Sequence, residues 1–595
     1  MAEKSSFGAE QVLWELNDLY DGGEDPRLEQ DLAGAMHRAE AFAGEYRGRI
    51  ASLAASELAA LLAEYEAILE ISAKAGTFAY LDWSTDTENP SKGALLQKLQ
   101  EHSSRLQQKL IFFELEWANL EDDRAEAVMN EAALHHYRFW LVLARRYKPH
   151  LLSEPEEKIL AEKAVTGRLA WIRFFEELHG ASRYTLDDER LPQQSILSKL
   201  YDTDRSLRRR AAGAFTAGLR EASRLNTYVF NNILADKASE DRLRSYPRWI
   251  SSRNLDNQID DSTVEALVQA VTGHYGIVAR YYRLKKELLG VEELFDYDRY
   301  APLPASSRRY SWQEAKQTVL EAYGGFHSEL GRIAGEFFDK RWIDAAVRPG
   351  KRGGAYSHGA VPSVHPYIFM NFQGTPRDVM TLAHEMGHGA HQYLSRRQGI
   401  LLADTPLTTA ETASVFGEML VFRKLISLES DPRLRLSLLV QKIEDTFATV
   451  FRQTAMNRFE EAIHTARRGT GELSTGRFSE LWMETQRQMF EESVTLTGDY
   501  SIWWSYIPHF IHSPGYVYAY AFGELLVLAL YARYQESGES FPPDYLELLS
   551  AGGSDWPEEL VRPLGVDLRD PKFWELGLGM IEELVEQAEE LAGKR

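Results

Sequence analysis

The chain has 595 residues, of which 44% are hydrophobic, so it can bury a large core, and its length suggests several domain-sized units. It carries 89 acidic against 67 basic residues, a formal net charge of −22 and no basic tract, which argues against nucleic acid or anionic membrane surfaces as partners. Because it contains no cysteine, disulfides and thiolate metal sites are excluded, and any metal ion must be held by His and carboxylate side chains.

The first residues of the sequence do not have the pattern of a signal peptide. Residues 1–8 lack the apolar core of a signal peptide, and no run approaches the roughly 20 apolar residues that span a bilayer. The absence of cysteine also fits a reducing compartment. We therefore expect a cytoplasmic protein that binds neither a membrane nor a nucleic acid.

The first third of the chain has the pattern of packed helices. Over residues 9–185 apolar side chains recur at helical spacing, as at Leu58, Leu61 and Leu62, with few Gly or Pro interruptions. This predicts a bundle or stacked helical hairpins, since a long coiled coil would need sustained heptads that the sequence lacks. We predict an N-terminal helical domain over 1–186 and a second domain over 187–595.

The second domain is also rich in helical patterns until residue 348. Residues 303–307 are predicted to form a loop before another helix. The Gly-rich stretch 348–354 is predicted to be a turn and marks the end of the helical pattern. The best strand candidate is 366–372, which is short and rich in aromatic side chains. An exposed edge there could pair with an extended peptide, and a two-stranded structural ribbon is the alternative.

A helix is predicted to follow directly, from about residue 376 to 394. Thr375 can cap its free amides, Pro376 suits the first helical position, and Asp378 stands where a capping-box acid belongs. This helix carries the sequence His384-Glu-Met-Gly-His388.

The two histidines of this motif are spaced to bind one metal ion. Four residues place His384 and His388 about 6 Å apart along the helix and about 40° apart around it. Glu385 projects about 100° from His384, beside the pair, which suits a base acting on a metal-bound water. His391 lies about 10 Å along the helix from His384, too far to share the ion, and is expected to be a supporting or surface residue.

A third ligand is expected on the next helix, which Thr405 and Pro406 can start. Glu411 and Glu418 lie seven residues apart and therefore on one helical face. If that helix packs against the motif helix, one carboxylate can complete the metal shell and the other can orient an imidazole.

These residues together resemble the M3 family of zinc peptidases, in particular its oligoendopeptidase F branch. The resemblance rests on the His384–His388 motif and on Glu411, which follows 23 residues later within Ala410-Glu-Thr-Ala-Ser-Val-Phe-Gly-Glu418. It extends to residues 145–153, 165–168 and 507–520, so it spans most of the chain.

The resemblance implies a large, mainly α-helical, zincin-like fold. It implies a small β-ribbon beside the active-site helix and a deep enclosed substrate channel, with 187–595 as the catalytic domain. It also implies one zinc ion held by His384, His388 and Glu411, with Glu385 as the catalytic base. The substrates would be short peptides.

Stabilisation of the tetrahedral intermediate is assigned by the same resemblance to a His and to Tyr residues near the C terminus. The positions that match are His509, Tyr516 and Tyr520, with His512 as the alternative histidine. Neutral Tyr and His side chains can donate hydrogen bonds to an oxyanion, which is the chemistry that this role requires.

We therefore predict a zinc-dependent endopeptidase that hydrolyses internal bonds of short oligopeptides by attack of a zinc-bound water. A metallocarboxypeptidase built on the same motif is one alternative. A non-catalytic peptide-binding protein with a structural metal is another, in which four protein side chains would fill the metal shell.

Overall fold

The computed structural model describes residues 7–303 and 308–593. Of the stretches discussed above, residues 1–6 and most of the predicted 303–307 loop lie outside the described residues. The helix expected after that loop begins at Trp312.

Within the described residues the chain forms 27 α-helices and five short strands. The helices before residue 300 are α1 Pro26–Tyr46, α2 Ala55–Thr85, α3 Pro90–Leu110, α4 Phe112–Asn119, α5 Asp122–Met129, α6 Arg138–Arg145, α7 Glu154–Ala164, α8 Arg168–Ala181, α9 Gln193–Ser198, α10 Arg205–Glu221, α11 Ser223–Leu243, α12 Ser251–Asp256, α13 Asp261–Gly273 and α14 Tyr275–Leu289.

The helices after residue 300 are α15 Trp312–Phe326, α16 Ser328–Asp339, α17 Pro376–Ser395, α18 Leu407–Ala410, α19 Thr412–Leu428, α20 Pro432–Thr449, α21 Phe451–Thr470, α22 Thr475–Phe490, α23 His509–His512, α24 Tyr518–Ser537, α25 Phe541–Ala551, α26 Pro557–Val561 and α27 Pro571–Gly593. The strands are β1 Tyr184–Leu186, β2 Glu189–Leu191, β3 Ile343–Asp344, β4 Tyr356–His358 and β5 Tyr367–Phe369.

These elements form two compact units, each built from separate stretches of sequence. The first unit takes residues from 1–148, 308–428 and 534–565, and the second takes residues from 149–307, 429–533 and 566–595. The prediction of a mainly α-helical chain is confirmed. The domain boundary at 186/187 and the substrate channel stay predictions.

The first unit contains the predicted N-terminal helices. Leu58, Leu61 and Leu62 all lie on the buried face of α2, as their spacing predicted. The helix packs against α1 and α3, its neighbours along the chain. Short connections between neighbouring helices give a bundle rather than a long coiled coil.

A three-stranded sheet in the same unit packs on α17, in the order β3-β5-β4. β5 pairs in parallel with β3 and antiparallel with β4, and all three of its residues are buried. The predicted strand at 366–372 is therefore present, but it is neither an exposed edge nor part of a two-stranded ribbon. The buried side chains of β5 hold it in the centre of the sheet. The two outer strands are β3 and β4, and β4 is the closer of the two to α17 along the chain.

The second unit packs around an aromatic core. Phe215, Phe230 and Trp504 belong to this core, which also includes α21, α22 and the 3-10 segment Gly498–Tyr506. β1 and β2 form an antiparallel hairpin against α10. In neither unit do the described residues include a helix with the length and apolar character needed to cross a bilayer.

Candidate active site

The motif helix α17 starts as its sequence predicts. The Thr375 hydroxyl accepts a hydrogen bond from the Asp378 amide at 3.1 Å, and the Asp378 carboxylate accepts one from the Thr375 amide at 2.9 Å. Pro376 occupies the first turn, where a missing amide hydrogen costs nothing. This reciprocal cap fixes the beginning of the helix two turns before His384.

The structure brings His384, His388 and Glu411 together. The Nε2 atoms of the two histidines lie 3.2 Å apart, and Glu411 Oε2 lies 3.4 Å from each of them. Among the described residues these three form the group of side chains that could hold a metal ion. All three are partly exposed, so water and a substrate can reach them.

This triangle of donor atoms fits a zinc ion. Zinc binds imidazole nitrogen and carboxylate oxygen at about 2.0–2.2 Å in tetrahedral geometry, which separates neighbouring ligand atoms by about 3.3–3.6 Å. The observed edges of 3.2–3.4 Å match that spacing closely. Three protein ligands also leave one tetrahedral position for water or substrate, as in catalytic rather than structural zinc sites.

Glu418 sets the orientation of His384. His384 Nδ1 donates a hydrogen bond to Glu418 Oε1 at 2.6 Å, and its Nε2 faces His388 Nε2 and Glu411 Oε2. Burial alone would lower the pKa of His384, but the hydrogen bond to Glu418 and the charges of Glu411 and Glu385 raise it to about 9. The carboxylates around the ring therefore favour a positive charge at this position, which either a proton on His384 or a bound metal ion would supply.

Glu411 lies at a break between two helices. The sequence predicted one continuous helix, but α18 ends at Ala410 and α19 begins at Thr412, with Glu411 between them. The carboxylate accepts a hydrogen bond from the Ser414 hydroxyl at 2.6 Å. Burial alone would raise its pKa, and the contacts with His388 and His384 lower it to about 2. Glu411 is thus an ionised carboxylate at neutral pH.

Two glycines allow α17 and α19 to approach closely enough to assemble this shell. A Cβ at Gly387 would lie 2.3 Å from the Ala413 carbonyl oxygen, and a Cβ at Gly417 would lie 1.9 Å from the Tyr323 hydroxyl. That hydroxyl donates a hydrogen bond to the Ala383 carbonyl at 2.7 Å, just before the first ligand. Sequence reasoning missed these residues. The signal was present, since two glycines interrupt otherwise well-formed helices.

Glu385 is buried beside the ligand group. Burial raises the pKa of its carboxyl group, against the opposing effect of His384 and His388. It lines a cavity of about 510 Å³ together with the two histidines and with Tyr356 and Ser357 of β4. A carboxylate with a raised pKa, next to a metal shell and open to a cavity, can act as a general base.

His391 lines the same cavity but takes no part in the ligand group of the described residues. Burial lowers its pKa to about 4, with a further contribution from His388, so the imidazole is uncharged at neutral pH. It is a buried residue next to the site, which agrees with a supporting role and excludes a surface position.

In the second unit, His509, Tyr516 and Tyr520 form a cluster. His509 Nε2 lies 3.2 Å from the Tyr520 hydroxyl, and the ring centroids of Tyr516 and Tyr520 are 5.1 Å apart. Burial and the charges of His512 and Arg452 lower the pKa of His509, which keeps it neutral.

His512, the alternative histidine, contacts other residues. Its Nε2 lies 3.5 Å from Glu176 Oε1, and its ring meets that of Phe175 edge to face. Arg168 also donates a hydrogen bond to its carbonyl oxygen at 2.9 Å. The structure therefore groups the two tyrosines with His509 and directs His512 towards α8.

Known proteins resemble this chain over most of its length. The model of peptidase family M3 matches residues 198–580, and the model of the oligopeptidase F N-terminal region matches residues 116–184. Oligopeptidase PepF of Bacillus subtilis is 26% identical and the group B oligopeptidase PepB of Streptococcus agalactiae is 27% identical. Each alignment covers 100% of this chain, with 89% and 99% of the respective relative.

A solved structure supports the fold. The crystal structure of oligoendopeptidase-F from Enterococcus faecium superposes with a TM-score of 0.69 at 23% identity, and the match covers 96% of this chain and 98% of that one. The family model covers well over half of the sequence, including every residue of the ligand group and of the tyrosine cluster. The chain therefore belongs to peptidase family M3, in its oligoendopeptidase F branch, and is a metalloendopeptidase.

Proposed function

We propose that this chain is a zinc-dependent endopeptidase that hydrolyses internal bonds of short peptides. The observation that carries the proposal is the group of His384, His388 and Glu411 with the buried Glu385 beside it. The names of the bacterial relatives, oligopeptidase and oligoendopeptidase, support oligopeptides as the substrate class.

The two imidazoles and the Glu411 carboxylate would hold the zinc ion. When bound, zinc supplies a Lewis acid that polarises the scissile carbonyl group and lowers the pKa of water. The remaining steps of the reaction belong to side chains of this chain.

Glu385 moves the protons. Its carboxylate takes a proton from the water whose oxygen attacks the carbonyl carbon, and it then delivers a proton to the amine nitrogen as the C–N bond breaks. A raised pKa suits both steps, because a base is most effective when its pKa approaches the working pH. Glu418 keeps the proton of His384 on Nδ1 throughout, so that Nε2 stays available as a ligand.

The cavity beside Glu385 offers a place for an extended peptide. Tyr356 and Ser357 of the outer strand β4 line it, and a peptide backbone can pair with such an outer strand. A peptide bound in this way would lie across the ligand group. Main-chain pairing is also independent of side chains, which suits an enzyme that accepts many short sequences.

For stabilisation of the oxyanion we propose His509 together with Tyr516 or Tyr520. The close grouping of these three side chains and the neutral state of His509 support this assignment. His509→Ala should lower kcat by about 10²- to 10³-fold, the usual loss of one oxyanion donor. His512→Ala is the matched control and should leave kcat unchanged; a loss of the same size in the control would reassign the role.

The decisive experiment on the base is Glu385→Gln. The variant should retain bound zinc, measured by atomic emission after dialysis, and should lose cleavage of an internally quenched peptide. Glu321→Gln on α15, an exposed residue paired with Lys424, is the control and should behave as wild type. Cleavage at the native rate by the Glu385 variant would disprove the mechanism.

Product analysis separates this function from its alternatives. An endopeptidase cuts a peptide that is blocked at both ends, whereas a carboxypeptidase requires the free carboxylate. A structural metal site would need a fourth protein ligand, and the described residues supply three at this point.

A further inference from the structure

Among the residues that the structure describes, Arg452 in α21 is a cation without an acidic partner. Its Nη1 donates a hydrogen bond to the Tyr300 hydroxyl at 2.9 Å, and its Nη2 lies 3.5 Å from the Tyr506 hydroxyl. Within residues 7–303 and 308–593, it makes no ion pair with a carboxylate, and the groups that raise its pKa are tyrosines. Two other arginines of α21 differ: Arg458 pairs with Glu461, and Arg468 pairs with Asp241.

A second guanidinium, that of Arg299, also lies against Tyr300. Arg299 is only 4% exposed, and its Nε donates a hydrogen bond to the Asp296 carbonyl oxygen at 3.0 Å. Its Cζ lies about 5 Å from the ring centroids of Tyr300 and Tyr500. Burial alone would raise the pKa of Tyr300, but the charges of Arg452 and Arg299 lower it. Two guanidiniums therefore lie against Tyr300, and among the described residues the hydrogen-bond partners of Arg452 are tyrosine hydroxyls rather than carboxylates.

The two guanidiniums differ in access. Arg299 is sealed in the core, whereas Arg452, Tyr300 and Tyr506 are all partly exposed. A partly desolvated guanidinium favours a counter-charge, and a carboxylate matches its planar pair of N–H donors. The tyrosine hydroxyls hold Arg452 in place, which reduces the entropy that its side chain would lose on binding.

Arg452 also lies near the proposed oxyanion donors. Its charge contributes, after burial and His512, to the lowered pKa of His509. Tyr506, which contacts the guanidinium, precedes His509 by three residues in the chain. The unpaired cation thus belongs to the part of the second unit that we propose takes part in catalysis.

We propose that Arg452, held by Tyr300 and Tyr506, binds a carboxylate of the peptide substrate. Every unmodified short peptide carries an α-carboxylate at its C terminus, and acidic side chains are the second source of the same group. This inference rests on the proposed peptidase function, because it concerns how the same substrates are held. Such a site would favour short peptides with a free C terminus, while the bond that is cut remains internal.

The test compares one peptide sequence without Asp or Glu in two forms, as the free acid and as the C-terminal amide. A third peptide is the amide with one internal Glu. For the wild-type enzyme we expect KM to be about 10- to 100-fold lower for the free acid than for the amide, the value of a hydrogen-bonded ion pair. Arg452→Gln should abolish that preference, so that the KM values for the free acid and for the amide become equal.

Arg458→Gln, on the same helix, is the matched control and should keep the wild-type preference. Arg452→Lys retains the charge but not the paired donors, and it should keep part of the preference. Thermal unfolding of each variant identifies those that fold. The wild-type enzyme could instead show a lower KM for the amide with an internal Glu than for the plain amide. If Arg452→Gln removes that difference, Arg452 binds a carboxylate, and its source is an acidic side chain.

Two results would overturn the proposal. If the wild-type enzyme cleaves all three peptides with equal KM values, the carboxylate site is refuted. The proposed peptidase function is then unaffected, because the peptides are cleaved. An acid preference that persists in a folded Arg452→Gln variant would place the carboxylate site elsewhere. Failure of zinc-loaded wild-type enzyme to cut any of the peptides would instead refute the peptidase function, so the two failures are distinguishable.

Discussion

Replacing Gly387 by Ala should separate the motif helix from its third ligand. The added Cβ would lie 2.3 Å from the Ala413 carbonyl oxygen and 2.5 Å from Ser414 Cα, whereas ordinary van der Waals contact begins at 3.4 Å. Both neighbours are backbone atoms at the start of α19, so no side chain can rotate away. The clash can be relieved only by moving α19 away from α17.

The size of the effect follows from the spacing of the ligands. Overpacking of this kind costs about 1–3 kcal/mol of stability. Glu411 stands two residues before Ala413, so a shift of α19 by about 1 Å would carry its carboxylate out of a triangle whose edges are 3.2–3.4 Å. Displaced or poorly supported ligands typically lower metal affinity by about 10- to 100-fold, and we expect a loss in this range or above.

The assay is the zinc dissociation constant, measured by competition with a chromophoric chelator, together with peptide cleavage at low and at high zinc. Gly387→Ala should bind zinc more weakly and recover part of its activity when zinc is added. Gly335→Ala in α16 is the control, because a Cβ there meets nothing within 4 Å, and it should be neutral or stabilising by up to about 1 kcal/mol. Native zinc affinity in the Gly387 variant would refute the reasoning.

Two further predictions concern carboxyl groups. Glu418→Ala should lower zinc affinity by about 10- to 100-fold because His384 loses its acceptor at Nδ1, whereas Glu418→Gln, which keeps an acceptor oxygen, should lose less; equal affinities in the three proteins would contradict this. Burial raises the pKa of Glu460 to about 8, and its Oε1 accepts a hydrogen bond from the Gly515 amide at 2.8 Å. Between pH 4.5 and 8 the unfolded chain has lost a proton that the folded chain keeps, so the stability of wild type relative to Glu460→Gln should fall as pH rises, by at most about 1.4 kcal/mol per pH unit. The difference in thermal midpoint between the two proteins at pH 5 and pH 8 measures it, and a constant difference would be the contrary result.

The features that depend on neighbouring residues could be predicted from the sequence. The cap at Thr375, the spacing of His384 and His388 and the beginning of the next helix near Pro406 are all local, and the structure confirms each of them. The identity of Glu411 as an acid close to the histidines could be predicted as well. Local propensity and capping act over four residues or fewer, so a single stretch contains the whole signal.

The features that depend on distant packing could not be predicted. The central position of β5 requires two partners, β3 and β4, which a pattern in 366–372 cannot specify. The same holds for Gly387, whose importance arises from the backbone of Ala413 across the helix interface. A glycine in a helix has several explanations in sequence, and only the packed partner decides among them.

The division of roles between Glu411 and Glu418 shows how such packing decides chemistry. Equivalent spacing on one helical face left open which acid would be the ligand. In the structure, Glu411 Oε2 lies 3.4 Å from Nε2 of both histidines, whereas Glu418 contacts His384 through Nδ1, the nitrogen on the far side of the ring. An imidazole cannot present the same nitrogen to a metal ion and to a hydrogen-bond acceptor. The helix break at Glu411 therefore distinguishes the two acids. Glu411, at the break, faces the histidine pair, whereas Glu418, on regular α19, holds the ring of His384.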